Sequence, residues 1–375
     1  MLHPGPYTIA VAGWLAAVAS TTAWAAIRSR AGRTGERRDV GKVALLRPCA
    51  GAEPGLARAL ASTAEAGVAL VRFAVATEDD PALPVAREAA RSIPGAEVIV
   101  TSAEGPNAKA DQLARALASL PEPPDVVLAV DSDVELTPAV VAAVLAPLAD
   151  PGVAAAWAPP IEVEPDTFAD RASSAVLGAS MHAFAVLGAL DPGCVVGKVL
   201  AIRREALEAV GGFAALRTHL GEDMELGRRL REARLRVVRA SVPARSLAKG
   251  RAWDDVVSRY ARWVTVIRAQ RPHLLASYPL LFASTIPMLL VCLAAAPFEG
   301  LLPLGVAGAA LALRHAVAAL AVTRSGSSAP LSALDALAAD VVLLLAFHKA
   351  LRTTTVRWRD TELRVARGGQ LEVVR

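Results

Sequence analysis

The chain has 375 residues, 54% of them hydrophobic and 20% charged, with a mean hydropathy of +0.41 and a formal net charge of +4. That length leaves room for one large domain or two ordinary ones, and the composition is too apolar for an ordinary soluble domain. The basic balance lacks the interleaved aromatic pattern that stacks on bases, so nucleic acid is not an expected partner, and Cys49, Cys194 and Cys292 show neither metal-ligand spacing nor an even-numbered framework, which fits a reducing compartment.

In chain order, residues 7–27 contain no charge and run for about 20 residues, enough to span a bilayer. Arg28, Arg30, Arg33, Arg37 and Arg38 follow, and the positive-inside rule puts the region after them in the cytoplasm. A cleaved signal peptide is the alternative, opposed by the absence of positive charge before the apolar run. From Lys42 to Arg251, short apolar runs alternate with helical patterns, as in a parallel sheet with crossover helices. Strands are expected at 43–46, 70–76, 98–101 and 126–130, with helices between them at 56–66, 84–91 and 111–120.

Chemistry-bearing residues gather where those strands end, the place where open α/β sheets bind ligands. Asp79 and Asp80 lie just past the second strand, where a carboxylate can accept hydrogen bonds from a base or ribose; alone, Asp80-Pro81 would be a turn opening a helix. Lys109, in Gly105-Pro106-Asn107-Ala108-Lys109, follows the third strand and can neutralise phosphate, although this stretch also makes an ordinary loop. The fourth run, 126–130, is continuous and rich in β-branched residues, as a buried parallel strand requires. Asp131 and Asp133 stand at its end. Two hard carboxylates there suit Mg²⁺ or Mn²⁺ holding a substrate diphosphate, and by themselves they would also fit a solvated acidic turn. Glu222 and Asp223 precede an amphipathic helix at 224–233, as capping and dipole partners or as a catalytic base facing an acceptor. Arg259 and Arg262 share a helical face beside Trp263. Arginine suits bidentate diphosphate contacts and Trp suits stacking, but a basic membrane flank would look the same.

A second apolar zone begins near Tyr278, with a span at 278–296, a turn at 297–300 and a return span at 301–321 carrying Arg314 and His315. After a polar loop at 323–330, the weaker segment 331–349 holds Asp335 and Asp340 and would cross, re-enter or lie at the interface. Arg352, Arg357, Arg359, Arg364 and Arg367 then put the tail in the cytoplasm. The expected domains are a membrane helix at 1–30, a cytoplasmic catalytic domain at 40–270, a membrane region at 278–350 and a cytoplasmic tail at 351–375. Such a multi-pass protein belongs in the cell (inner) membrane, its flanking arginines against the anionic head groups of the lipid bilayer.

Taken in order, these motifs resemble family-two-like inverting glycosyltransferases, and more closely the ceramide glucosyltransferase family with its bacterial relatives that glycosylate hopanoids. Leu46-Arg47-Pro48 with residues 51–55 resembles the family's first strand and loop, and Asp79-Asp80-Pro81-Ala82 and Asn107-Ala108-Lys109 its next two motifs. Residues 197–204 with Gly211-Gly212-Phe213 resemble its acceptor-side segment, and Val356-Arg357-Trp358-Arg359 its tail motif, so the resemblance runs from about residue 42 to about residue 370. It implies an α/β fold of the GT-A type with a mostly parallel sheet, flanked by one N-terminal and two to three C-terminal membrane helices. It also implies a divalent cation and transfer from a nucleotide-sugar, UDP-linked and glucose-type, to a membrane lipid hydroxyl, with ceramide first. A hopanoid acceptor with an N-acetylglucosamine-type donor comes next, then a polysaccharide synthase, then an inactive membrane scaffold. In that scheme Asp223 is the base, and Asp131 and Asp133 hold the cation. The donor is bound by Asp79, Asp80, Lys109, Asp131, Arg259, Arg262 and Trp263, while Glu222, Lys198 and His182 lie on the acceptor side. Thr77 stands where relatives often carry an acidic residue, and His182 also fits a core or interface position.

Overall fold

A computed structural model describes residues 4–29, 39–103, 105–191, 193–247, 249–328, 332–358 and 361–373. The expected basic flank at Arg30, Arg33, Arg37 and Arg38, and Arg359 of the tail motif, lie outside the described residues. The chain forms two compact units, one of residues 1–30, 165–191 and 250–354, the other of residues 31–164, 192–249 and 355–375.

The second unit carries the sheet. Its strands are β1 (Val43–Cys49), β2 (Leu70–Val75), β3 (Ala96–Val100), β4 (Val126–Val130), β5 (Val134–Glu135), β6 (Val153–Trp157), β7 (Pro160–Glu162), β8 (Val199–Arg203), β9 (Arg236–Arg239), β10 (Ala244–Ser246), β11 (Thr355–Trp358), β12 (Thr361–Val365) and β13 (Leu371–Val373). Seven of them make one sheet in the order β3-β2-β1-β4-β8-β6-β9. β8 runs antiparallel to both neighbours and the other pairings are parallel, so the expected mostly parallel α/β sheet is present. Every residue of β4 is buried, because helices cover both faces of a parallel sheet and the strand must be apolar throughout. A small sheet, β5-β10-β7, lies at the end of β4.

Capping decides where the helices start. The helix expected at 111–120 runs over Ala108–Ala118, because the Asn107 side chain accepts the Ala110 N–H. The helix expected at 224–233 is Glu222–Glu232, following Gly221 in the left-handed conformation. Glu222 and Asp223 therefore sit within its first turn rather than ahead of it. The expected 56–66 helix divides into an α-helix at Leu56–Ala61 and a 3₁₀ turn at Ser62–Ala66.

In the other unit, Pro6–Arg28 and Leu302–Ser325 are long and apolar enough to cross a membrane. The span expected at 278–296 is broken: Pro272–Phe282 and Thr285–Glu299 meet at 59°. Pro287 has no N–H for a continuous helix, and restarting at Thr285 puts it in a first turn, where no donor is needed. The segment expected at 331–349 is the helix Ala333–Arg352, opened by a Ser332/Asp335 capping box. Its two carboxylates are paired, Asp335 with Arg171 at 3.1 Å and Asp340 with Arg314 at 3.0 Å. Arg314 also donates to the Ala179 and Ala336 carbonyls, so the buried guanidinium has partners besides Asp340.

Candidate active site

The site starts from the turn after β4. Arg47, wholly buried on β1, donates to the carbonyl oxygens of Asp131 (2.9 Å), Val134 (2.6 Å) and Ala59 (2.6 Å) and to the Thr63 hydroxyl (2.8 Å). Burial pulls its guanidinium down to about 10, which leaves it cationic at neutral pH. One buried fork thus fixes the backbone of Asp131-Ser132-Asp133. The Asp131 N–H donates to the Lys198 carbonyl at 3.0 Å, and the Leu247 N–H to the Asp133 carbonyl at 2.7 Å.

Around that turn the ionised side chains alternate in sign. Lys198 Nζ lies 2.6 Å from both carboxylate oxygens of Asp133 and 3.2 Å from Asp131. Lys109 Nζ is 2.7 Å from Asp131 and 2.9 Å from Glu222. Ser246 donates to Asp133 at 2.6 Å, and the Asn107 amide to Glu222 at 3.2 Å. The five charged side chains keep between 12% and 22% of their surface exposed, enough for a ligand to reach them.

Asp223 closes the chain. Burial, and then the neighbouring Glu222 charge, push its carboxyl up to about 6, against Lys109 and against N–H donors from Gly197 (3.0 Å) and Met224 (2.8 Å). Burial also opposes the charged form of Glu222, but Lys109 outweighs it and holds that carboxyl below its usual range. Lys109 is in turn held well above its ordinary value, since the attraction of Asp131, Glu222 and Asp223 exceeds the cost of its burial. The approach is close at Gly197, where a Cβ would lie 3.3 Å from both Asp223 Cβ and Lys109 Nζ and would press on both.

Asp131 and Asp133 supply the hard oxygens that Mg²⁺ or Mn²⁺ prefers, and such ions are commonly held by one or two carboxylates with the rest from phosphate and water. Among the described residues, however, no three His, Cys, Asp or Glu side chains converge to hold a metal by themselves. The donor set therefore fits a cation whose remaining ligands would come from a diphosphate and water.

Of the residues expected at the site, Lys109, Asp131, Asp133, Lys198, Glu222 and Asp223 are brought together. Asp80 is buried and accepts N–H bonds from Gly51 (2.7 Å) and Ala82 (3.0 Å), shaping the loop after β1 and the helix Ala82–Arg91, while Asp79 is exposed at the end of β2. Arg259, Arg262 and Trp263 lie on the helix Trp253–Gln270 of the other unit, where the Arg259 guanidinium sits 5.3 Å from the Trp263 ring centre. His182, in that unit too, is buried against the rings of Phe184, Tyr260, Trp263, Tyr278 and Phe282. The sequence points to Arg47 and Gly197 only as members of longer motifs, and to Ser246 not at all. An arginine inside the apolar run of β1 is a signal for the first; Ser246 has none in the sequence.

No curated protein matches this chain. Among solved structures, glucosyl-3-phosphoglycerate synthase from Mycobacterium tuberculosis, in complex with Mn²⁺, UDP and phosphoglyceric acid, is 18% identical, with a TM-score of 0.41 over 62% of this chain and 84% of that one. Mannosyl-3-phosphoglycerate synthase from Rubrobacter xylanophilus is likewise 18% identical, with a TM-score of 0.39 over 62% of this chain and 74% of that one. Both likenesses are distant. The sequence model of glycosyl transferase family 21 instead matches residues 7–371, nearly the whole chain, and this protein is a glycosyltransferase belonging to that family.

Proposed function

We propose that this glycosyltransferase moves a sugar from a nucleotide-sugar, UDP-linked and glucose-type, to a hydroxyl of a membrane lipid, with ceramide as the first candidate and a hopanoid polyol as the second. The observation that carries this reading is Asp223. A carboxyl raised to about 6 is largely ionised at neutral pH yet basic enough to take a proton, and it stands beside the Lys109–Asp131–Lys198–Asp133 array. In the reaction, Asp223 accepts the proton of the lipid hydroxyl as its oxygen bonds to the anomeric carbon on the face opposite the leaving group. The bond from that carbon to the diphosphate breaks, and the configuration inverts. Lys109, and Lys198 once released from Asp133, offset the charge that builds on the leaving diphosphate. A divalent cation bound through Asp131 and Asp133 would supply further charge neutralisation there. Glu222, kept ionised by Lys109, sustains the basicity of Asp223.

Arg259, Arg262 and Trp263 remain proposed donor contacts, as does Asp79, and His182 a proposed acceptor-side residue. Asp80 fits a supporting role better, since its carboxylate shapes the loop after β1. The lipid acceptor is supported by the two helices able to cross a membrane, which would hold the enzyme where such a substrate is concentrated. We place the sheet-bearing unit on the cytoplasmic side of the cell membrane. Incubation of the purified protein with radiolabelled UDP-glucose and a total lipid extract should yield a labelled lipid. Label in a polymer would mean a polysaccharide synthase, and no transfer of any nucleotide-sugar would mean a scaffold.

A further inference from the structure

The residues after the last long helix fold into the antiparallel sheet β11-β12-β13, and the turn before β13 returns to the carboxylates. The Leu220 N–H donates to the Gly369 carbonyl and the Leu371 N–H to the Thr218 carbonyl, both at 2.7 Å, with His219 facing Gln370 as an antiparallel pair. The other side of the same short segment is held by Asn107, whose N–H donates to the Arg217 carbonyl (2.9 Å) and whose buried amide donates to the His219 carbonyl (2.7 Å). Gly221 follows, and then Glu222 and Asp223 open their helix. Residues 217–221 belong to no strand of the large sheet and to no regular helix, and these two sets of bonds hold the segment from both sides, beside the Arg217–Asp111 ion pair and the burial of Leu220. Gly368 and Gly369 take φ of 78° and 83°, a left-handed pair that directs the Gly369 carbonyl at Leu220.

We propose that Gly368 to Leu371 are positioning residues for the reaction: the C-terminal turn pairs with Thr218 and Leu220 and thereby fixes the point from which Glu222 and Asp223 project. The chain end is then part of the catalytic unit, although it lies about 150 residues beyond the carboxylates it sets. This rests on the reading of Asp223 as the base.

Two variants of the full-length protein test it. Leu371→Pro removes the N–H given to Thr218. Gly369→Val forces a β-branched residue into the left-handed region and misdirects the carbonyl. Turnover is read with UDP-glucose and total lipid extract, UDP-glucose affinity by calorimetry, and order at Leu220 by amide hydrogen exchange. Leu371→Pro and Gly369→Val should speed exchange at Leu220 and lower turnover about tenfold or more, with UDP-glucose affinity within about twofold, because the misplacement affects the base and not the donor site. If Leu371→Pro does not fold, Gly369→Val decides. Faster exchange at Leu220 with unchanged turnover overturns the proposal, and so does a parallel loss of turnover and UDP-glucose affinity, the sign of a merely structural tail. Failure of the base reading is separate: it shows as wild-type turnover in Asp223→Asn.

Discussion

At the scale of single residues, the site is a set of carboxylates interleaved with two lysines. Asp223→Asn keeps the size and the hydrogen bond from Gly197 but loses proton acceptance, so turnover should fall by about a hundredfold or more. In the wild type, turnover should decline as pH drops through about 6, and Asp223→Asn should lose that acid limb. The stability effect has the opposite direction. The folded chain holds a proton on Asp223 between its ordinary 3.8 and about 6 that the unfolded chain does not, so stability decreases as pH rises through that window. Above pH 6, Asp223→Asn should therefore be at least as stable as the wild type, and a markedly lower melting temperature would count against this account. Lys198 makes a second prediction. Its ammonium sits on both oxygens of Asp133, so Lys198→Met should tighten Mn²⁺ binding without nucleotide by about tenfold, as seen by the electron spin resonance of free Mn²⁺. Unchanged Mn²⁺ affinity would mean that Lys198 does not compete for those oxygens.

At the scale of elements, buried arginines hold pieces of chain that no hydrophobic pattern could fix. Arg47 ties β1 to the turn after β4, and Arg314 ties Leu302–Ser325 to Ala333–Arg352 through Asp340. Removing one partner of a buried pair strands the other, so Asp340→Leu should cost about 3–5 kcal/mol, whereas the double variant Arg314→Met/Asp340→Leu should recover much of that loss. Thermal unfolding in detergent micelles measures both, and equal losses in the single and double variants would show that the pair is not the source. The same pairing explains why the acidic residues at 335 and 340 do not prevent a long helix, where the sequence pattern reads only a weaker segment. The broken element around residue 283 is the converse case. Its composition reads as one span, but the helix restarts at Thr285, with Pro287 in its first turn.

At the scale of the whole molecule, the flanking charges set the expected orientation, with position 33 and the loop after Ser325 both in the cytoplasm. This requires the bent pair Pro272–Phe282 and Thr285–Glu299 to cross as one span and Ala333–Arg352 not to cross. Cysteine substituted at Arg33 or Ser328, with Cys49, Cys194 and Cys292 changed to alanine, should resist an impermeant maleimide in intact cells and react after permeabilisation. Labelling of either position in intact cells contradicts the orientation.

Legible in the residues alone are the first four strands along the chain, the long apolar helices and the acids that stand at the strand ends. These follow from local chemistry: a run such as Val126–Val130 is apolar because both its faces are covered, and acids at a strand's end mark a binding edge. How those acids are used is settled by tertiary contacts. Whether Asp80 meets a ligand or the Gly51 N–H, and whether Lys198 sits on Asp133, depend on neighbours far away in the sequence, and so does the burial that, with the adjacent Glu222, pushes Asp223 up to about 6. The same holds for Arg47, for Ser246 and for the tail turn at Gly369, whose contacts span from about 80 to about 150 residues of chain. Hydrophobic periodicity encodes which face of an element is buried, but it carries no information on which polar group will meet it there, because that is fixed by the crossing of elements rather than by the pattern within any one of them.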